Sequence, residues 1–171
     1  SVTYPLSKHA EETLFMHAYS KYLLSPTPTL DATETIGGID ALQLFINTYP
    51  QAELVDSSNT LMDKLRSKLE EKSYFNSKQY YKIFEFKSAI IAMSNTLLDF
   101  PETRYREELT FLTLKSHYLL AENSIKKKKM ERIDNTIEAY YTFVDAYKDS
   151  EYIKEAQNIF TKVSEMRNDF N

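Results

Sequence analysis

Gly38-Ile39-Asp40-Ala41-Leu42-Gln43-Leu44-Phe45-Ile46-Asn47-Thr48-Tyr49-Pro50 is the first of three copies of one thirteen-residue phrase. The others are AIIAMSNTLLDFP at 89–101 and TIEAYYTFVDAYK at 136–148. Each copy carries a small residue, an Ile, an Ala two positions on, large apolar residues, and an aromatic followed by Pro or Lys. Ile39, Ile90 and Ile137 fix the register, as do Ala41, Ala92 and Ala139, and Tyr49, Phe100 and Tyr147. A truncated copy opens the chain as Thr3-Tyr4-Pro5. Setting Pro5, Pro50, Pro101 and Lys148 equivalent gives intervals of 45, 51 and 47 residues, the period of stacked helical repeats.

Outward from each anchor, apolar or small residues recur eight, eleven and fifteen positions later. These are Thr13, Met16 and Ser20; Ser58, Leu61 and Leu65; Leu109, Leu112 and Ser116; and Ala156, Ile159 and Val163. Such spacing puts each set on one helical face. An A helix with this seam is therefore followed by a B helix made of the phrase itself, whose Ala marks a close approach of two helices. Pro after the aromatic ends B, because it cannot continue a helix interior and drives its predecessor toward extended geometry. Ser7, Thr103 and Ser150 are the expected N-caps of the next A helices, with Glu11-Glu12 and Glu107-Glu108 near their positive ends.

The predicted helices run over about 6–24, 31–48, 51–81, 86–100, 103–122, 130–147 and 150–168. Ser25-Pro26-Thr27-Pro28-Thr29 and Glu122 to Met130 are the main loops. The third helix, at ~1.5 Å per residue, is long enough to bridge two segments of the array. The expected architecture is a single all-α array over 1–171, with units at about 6–50, 51–101 and 103–148 and a final helix at 150–168. Because Tyr4-Pro5 reads as the tail of a unit, the array is expected to lack its amino-terminal repeat and to come from a longer protein.

Composition narrows the function. Without Cys there is no disulfide, thiol catalysis or thiolate metal site. The only two glycines are Gly37 and Gly38, which excludes glycine-rich phosphate loops. A formal charge of −4 gives no general attraction to nucleic acid or to an anionic membrane, so the expected partner is protein. No apolar run approaches the ~20 residues of a membrane span, and none reads as a signal peptide.

Catalytic and metal chemistry find no support. His9 and His17 are eight apart, too far for the i, i+4 pair of a helical metal site. Glu11-Glu12, Glu70-Glu71 and Glu107-Glu108 are neighbours that diverge by about 100° on a helix, so they read as solvated or capping charges. There is no G-x-S-x-G elbow and no cofactor motif; a non-enzymatic protein is expected. Lys126 to Lys129 with Arg132 form a basic block, read either as a docking surface for an acidic partner or as a solvated loop. The 13 Tyr and 10 Phe include a crowd at Tyr74, Phe75, Tyr80, Tyr81, Phe84 and Phe86. Most should pack between repeats, with some left for a partner.

These junctions, Phe45 to Tyr49-Pro50 and Leu97-Leu98-Asp99-Phe100-Pro101-Glu102-Thr103, resemble tetratricopeptide repeats of the BamD (YfiO/ComL) family of outer-membrane assembly lipoproteins. So does the order of parts: Ala10-Glu11-Glu12, Ala18-Tyr19, Ile39 to Phe45, a long charged helix ending Tyr80-Tyr81, then Phe86-Lys87-Ser88-Ala89-Ile90. The resemblance implies a right-handed α-solenoid of tetratricopeptide-like hairpins with about seven helices. It also implies a lipoprotein on the periplasmic face of the outer membrane, touching the membrane only through an upstream lipid anchor preceded by a signal peptide. Such proteins bind the POTRA domains of a BamA-type insertase through later repeats and are implicated in receiving unfolded outer-membrane proteins through earlier ones. The insertase side is expected to use Lys126, Lys127, Lys128, Arg132, Lys154 and Arg167, and a groove Lys8, Glu12 and Tyr19. Gly37-Gly38, Lys148 and the lysine block depart from the family pattern. The other reading is a generic tetratricopeptide adaptor for a peptide or chaperone.

Overall fold

The computed structural model describes residues 8–169, Lys8 by its backbone alone. Among them are seven helices and no strand: α1 (Lys8–Leu24), α2 (Thr33–Thr48), α3 (Val55–Lys82), α4 (Phe86–Asp99), α5 (Arg106–Glu122), α6 (Lys126–Ala146) and α7 (Ile153–Asn168). The all-α expectation holds, and every boundary falls within four residues of the predicted one. The largest shifts are at the starts of α3 and α6. Lysine is a good helix former, so α6 begins at Lys126, directly after the extended Ile125 (φ −67°, ψ 152°), and the lysine block is helix rather than loop. No helix among the described residues is long and apolar enough to cross a membrane.

The three phrases end in one backbone path. Tyr49, Phe100 and Tyr147 leave the helix at φ −129°, −129° and −135° with ψ 66°, 74° and 63°. Their amides still donate to the carbonyls of Phe45, Thr96 and Phe143 at 2.9, 3.0 and 2.9 Å. Three residues on, the amides of Ala52, Thr103 and Ser150 donate to the carbonyls of Tyr49, Phe100 and Tyr147 at 3.1, 3.1 and 3.2 Å. Those of Val55, Arg106 and Ile153 then reach Ala52, Thr103 and Ser150. Thr103 and Ser150 are therefore not the N-caps. Their hydroxyls accept from the amides of Tyr105 and Tyr152, two residues on, at 3.2 and 3.0 Å. This side-chain turn prepares a helix that starts one turn later, with Tyr105 and Tyr152 as the caps. Ser7 and the Thr3-Tyr4-Pro5 copy lie outside the described residues.

The chain divides into two compact units, residues 1–72 and 73–171; α3 contributes to both. In the first, Ala18, Ala41, Leu42, Met62 and Leu65 form the core. Gly38 is what lets the helices close: a Cβ there would stand 2.8 Å from Leu65 Cδ1 and 3.5 Å from the Lys21 backbone. The same phrase position holds Ala89 and Thr136, both fully buried. The expected seam of α1 is overturned, since Thr13, Met16 and Ser20 are exposed, Met16 by 61%. In α3, α5 and α7 this seam packs on the hairpin before it, and no helix precedes α1 among the described residues. Instead α1 buries Ala18 and sets Phe15 edge-on to Phe45 at 5.4 Å.

In the second unit Leu109 and Leu112 pack with Tyr74, Ala89 and Met93, while Ala156 and Ile159 pack with Phe111, Leu114 and Phe143. The capping tyrosines stack on aromatics of an earlier A helix, Tyr105 on Tyr74 at 3.8 Å and Tyr152 on Phe111 at 4.5 Å. Thr96 takes the phrase position of Phe45 and Phe143, and its buried hydroxyl meets Ser73 Oγ at 2.8 Å. One turn further, Lys78 Nζ donates to Glu108 Oε1 at 2.6 Å and to Tyr74 Oη at 2.7 Å, and Tyr74 donates to Glu108 Oε2 at 2.7 Å. Glu108 is thus no solvated charge. Burial would raise its pKa, but the hydrogen bonds from Lys78 and Tyr74 hold it below the ordinary 4.5. Burial would lower that of Lys78, yet the bonds to Glu108 and Tyr74 raise it above 10.5.

Gly37 has open space around its missing side chain, so Gly37→Ala should stabilise the protein by about 0.5–1 kcal/mol. Gly38→Val should cost about 1–3 kcal/mol through overpacking; urea unfolding measures both, and equal effects would contradict the close approach. A carboxylate with a depressed folded pKa contributes stability that is present above pH 4.5 and lost as pH falls through the folded value. Glu108→Gln should therefore lower stability at neutral pH by about 1–3 kcal/mol and flatten that acid limb, whereas an unaltered limb would assign it elsewhere.

Candidate functional site

The second unit carries two adjoining cavities of about 270 Å³ each. Thr110, Thr113 and His117 of α5 face Asn135, Glu138 and Thr142 of α6 across the first. The second runs from Ile90 and Ile91 of α4, over His117 and Leu120, to Lys128 and Arg132 of α6. His117 and Asn135 line both, so together they make one groove over α5, hydroxyl-rich at one end and apolar with a basic rim at the other. The hydroxyls of Thr110, Thr113 and Thr142 donate to carbonyls of their own helices, which leaves their oxygens as acceptors for peptide N–H groups, and the isoleucines offer an apolar seat.

The helix periodicity of α5 explains how His117 arrives there. Ser116 and Leu112 belong to the buried seam, so the next residue is turned toward its flank. Its half-burial comes from α6 crossing above, which the periodicity of α5 alone does not reveal. Desolvation pushes its pKa below 6.5, partly opposed by the nearby Glu138 charge. At neutral pH it is the uncharged imidazole, able both to donate and to accept.

The six expected cations do not form one patch. Lys126, Lys127 and Lys128 are exposed on the first turn of α6, against the positive end of its dipole, an unfavourable placement of about 0.3–1 kcal/mol per charge. Arg132 is turned inward, donating to the Leu120 carbonyl at 3.2 Å and to Ser124 Oγ at 2.6 Å. It satisfies the carboxyl end of α5. Lys129 does similar work at the Glu122 carbonyl, 2.9 Å away. Arg167 pairs with Asp134 at 3.4 Å, which brings the end of α7 beside α6. Lys154 is exposed on the first turn of α7, and since a short connection makes α6 and α7 antiparallel, it lies the length of α6 away, ~30 Å. Of the other expected groove residues, Glu12 faces His9 at 3.8 Å and Tyr19 lies between the rings of Phe15 and Tyr22, about 6.0 Å from each. The Lys8 side chain lies outside the described residues. Among the described residues no group of three or more His, Asp or Glu could hold a metal ion.

Recurrent helix hairpins with small residues at their crossings define an all-α, tetratricopeptide-like repeat protein. The chain belongs to the YfiO family of outer membrane lipoproteins, whose family model matches residues 2–133, from before α1 into the first turns of α6. No curated protein matches the chain. Family membership ties the protein to the outer membrane and to the assembly role of that family.

His117 provides a check on the groove. Its folded pKa lies below the unfolded 6.5, so the unfolded chain takes up the proton first and stability falls as pH drops below 6.5. His117→Gln should remove that decline while leaving the Glu108 limb at lower pH. An assigned His117 resonance titrating at or above 6.5 by NMR would show instead that the groove is open to water.

Proposed function

We propose that this protein is a non-enzymatic scaffold of outer-membrane β-barrel assembly, held at the periplasmic face by an upstream lipid anchor and docked on the POTRA domains of a BamA-type insertase. Membership of the outer membrane lipoprotein family carries this reading. The surface chemistry is compatible with it. In a chain of net charge −4, the Lys126, Lys127 and Lys128 turn offers a local positive surface to an acidic partner, and such complementarity steers association. Arg132 and Arg167 support that surface from within, through α5 and Asp134. Lys154, at the far end of α6, belongs to a separate part of the contact. The groove over α5 supplies hydrogen-bonding and apolar sites for an extended segment of an unfolded barrel protein.

The test is binding to purified POTRA domains of the cognate insertase. Lys127→Glu with Lys128→Glu should weaken binding by about tenfold and make it less salt-sensitive, and Lys154→Glu should add to the loss. Unchanged affinity would remove the lysine turn from the interface. Capture of chaperones with no insertase would favour a generic tetratricopeptide adaptor.

A further inference from the structure

We propose that the turn between α3 and α4 is a membrane-contact tip, which inserts the Phe84 ring among the headgroups of an anionic phospholipid surface. This rests on the protein's place in an outer membrane lipoprotein family.

The turn is a Schellman ending of α3. The Glu85 amide reaches the Tyr80 carbonyl at 3.0 Å and the Phe84 amide the Tyr81 carbonyl at 3.1 Å. That motif puts one residue in the left-handed region, a position that glycine fills without strain. Here it is Phe84, at φ 64°, the one non-glycine residue at positive φ among the described residues. The same ring is 77% exposed. Phenylalanine is therefore unfavourable here for the backbone and for the side chain at once. The hydrophobic contact that usually closes such a motif is also lacking, because the residue after the left-handed one is the exposed Glu85. Nothing in the fold of the turn calls for an aromatic, and strain held at an exposed tip points to a use outside the fold.

The neighbours specify that use. Ile83 is 51% exposed and Tyr80 also faces solvent, while Lys82 and Lys87 stand exposed on either side, two cations against the one exposed carboxylate of Glu85 between them. Below them Phe86 meets Phe84 edge-on at 6.1 Å and Tyr81 at 5.9 Å, a fixed aromatic base for the tip. A ring at the apex, a tyrosine hydroxyl behind it and long-stemmed cations at the sides is the arrangement that suits a lipid–water interface. By itself a turn of a few residues offers far less than the roughly 800 Å² per partner of a stable protein interface. A lipid surface makes no such demand. A few side chains therefore suffice for such a contact.

The protein contains no tryptophan, so Phe84→Trp places a single reporter at the tip. With vesicles of phosphatidylethanolamine and phosphatidylglycerol its emission should move to the blue, whereas Leu98→Trp, equally exposed at the other end of α4 (76%), should not. Phe84→Gly should raise the melting temperature by about 2–4 °C yet reduce vesicle co-sedimentation of the otherwise native sequence by about tenfold or more. Lys82→Gln and Lys87→Gln should each reduce it about fivefold. Equal shifts at both reporters, or no binding above that to neutral phosphatidylcholine vesicles, would overturn the proposal. So would a Phe84→Gly protein that loses POTRA affinity and keeps vesicle binding, which would make the ring a plug for a protein. Retained vesicle binding in a chain that ignores POTRA domains would support the tip and remove the insertase reading alone.

Discussion

A helix that ends at Tyr49, Phe100 or Tyr147 leaves carbonyls without partners, and one short ladder of turn hydrogen bonds supplies donors to them each time. That ladder sets the direction in which every following A helix departs. Because the same dihedrals recur at all three junctions, each seam of small and apolar residues is returned toward the hairpin before it. The stacked tyrosines and the small residues at Gly38, Ala89 and Thr136 can then do their work. A repeat need not conserve its side chains if it conserves this path. Lys148 replaces proline and Ala52 replaces a hydroxyl, and the backbone still turns in the same way.

The longest interval between anchors contains the most altered packing. Where two phrases bury Phe45 and Phe143 against aromatic partners, the middle one buries Thr96 against Ser73. Hydroxyls in that position exchange apolar contact for a directional bond, and the adjacent Tyr74, Lys78 and Glu108 add charge-assisted bonds between α3 and α5. Such a network defines one register of the long helix more sharply than apolar contacts would.

Unfavourable local features gather at one end of the second unit. Lys126 to Lys128 oppose the dipole of α6, and Phe84 strains the turn before α4. Both α4 and α6 pack antiparallel to α5, so they begin at the same end, and Lys87 and Lys128 line one cavity. Features that weaken the fold locally are tolerated where the surface is used. The strained turn and the unfavourably placed charges therefore lie on the same edge.

By itself the sequence determined the helix count, the repeat register and the family, because each depends on short-range periodicity and on residues a few positions apart. Ile, Ala and the terminal aromatic recur at fixed spacing, and proline interrupts helices wherever it falls. Its failures were also local in origin. Thr103 and Ser150 have cap chemistry, but whether such a hydroxyl caps or builds the preceding turn depends on the exit path of the B helix. Only tertiary structure decided which faces were covered. Met16 occupies a seam position yet meets solvent, Arg132 reads as a free cation yet ties down α5, and His117 and Glu108 acquire their environments from helices distant in sequence. Burial and ion pairing are set by neighbours that the spacing of one helix cannot name. The left-handed backbone at Phe84 likewise exists because α3 must stop and α4 must return within three residues.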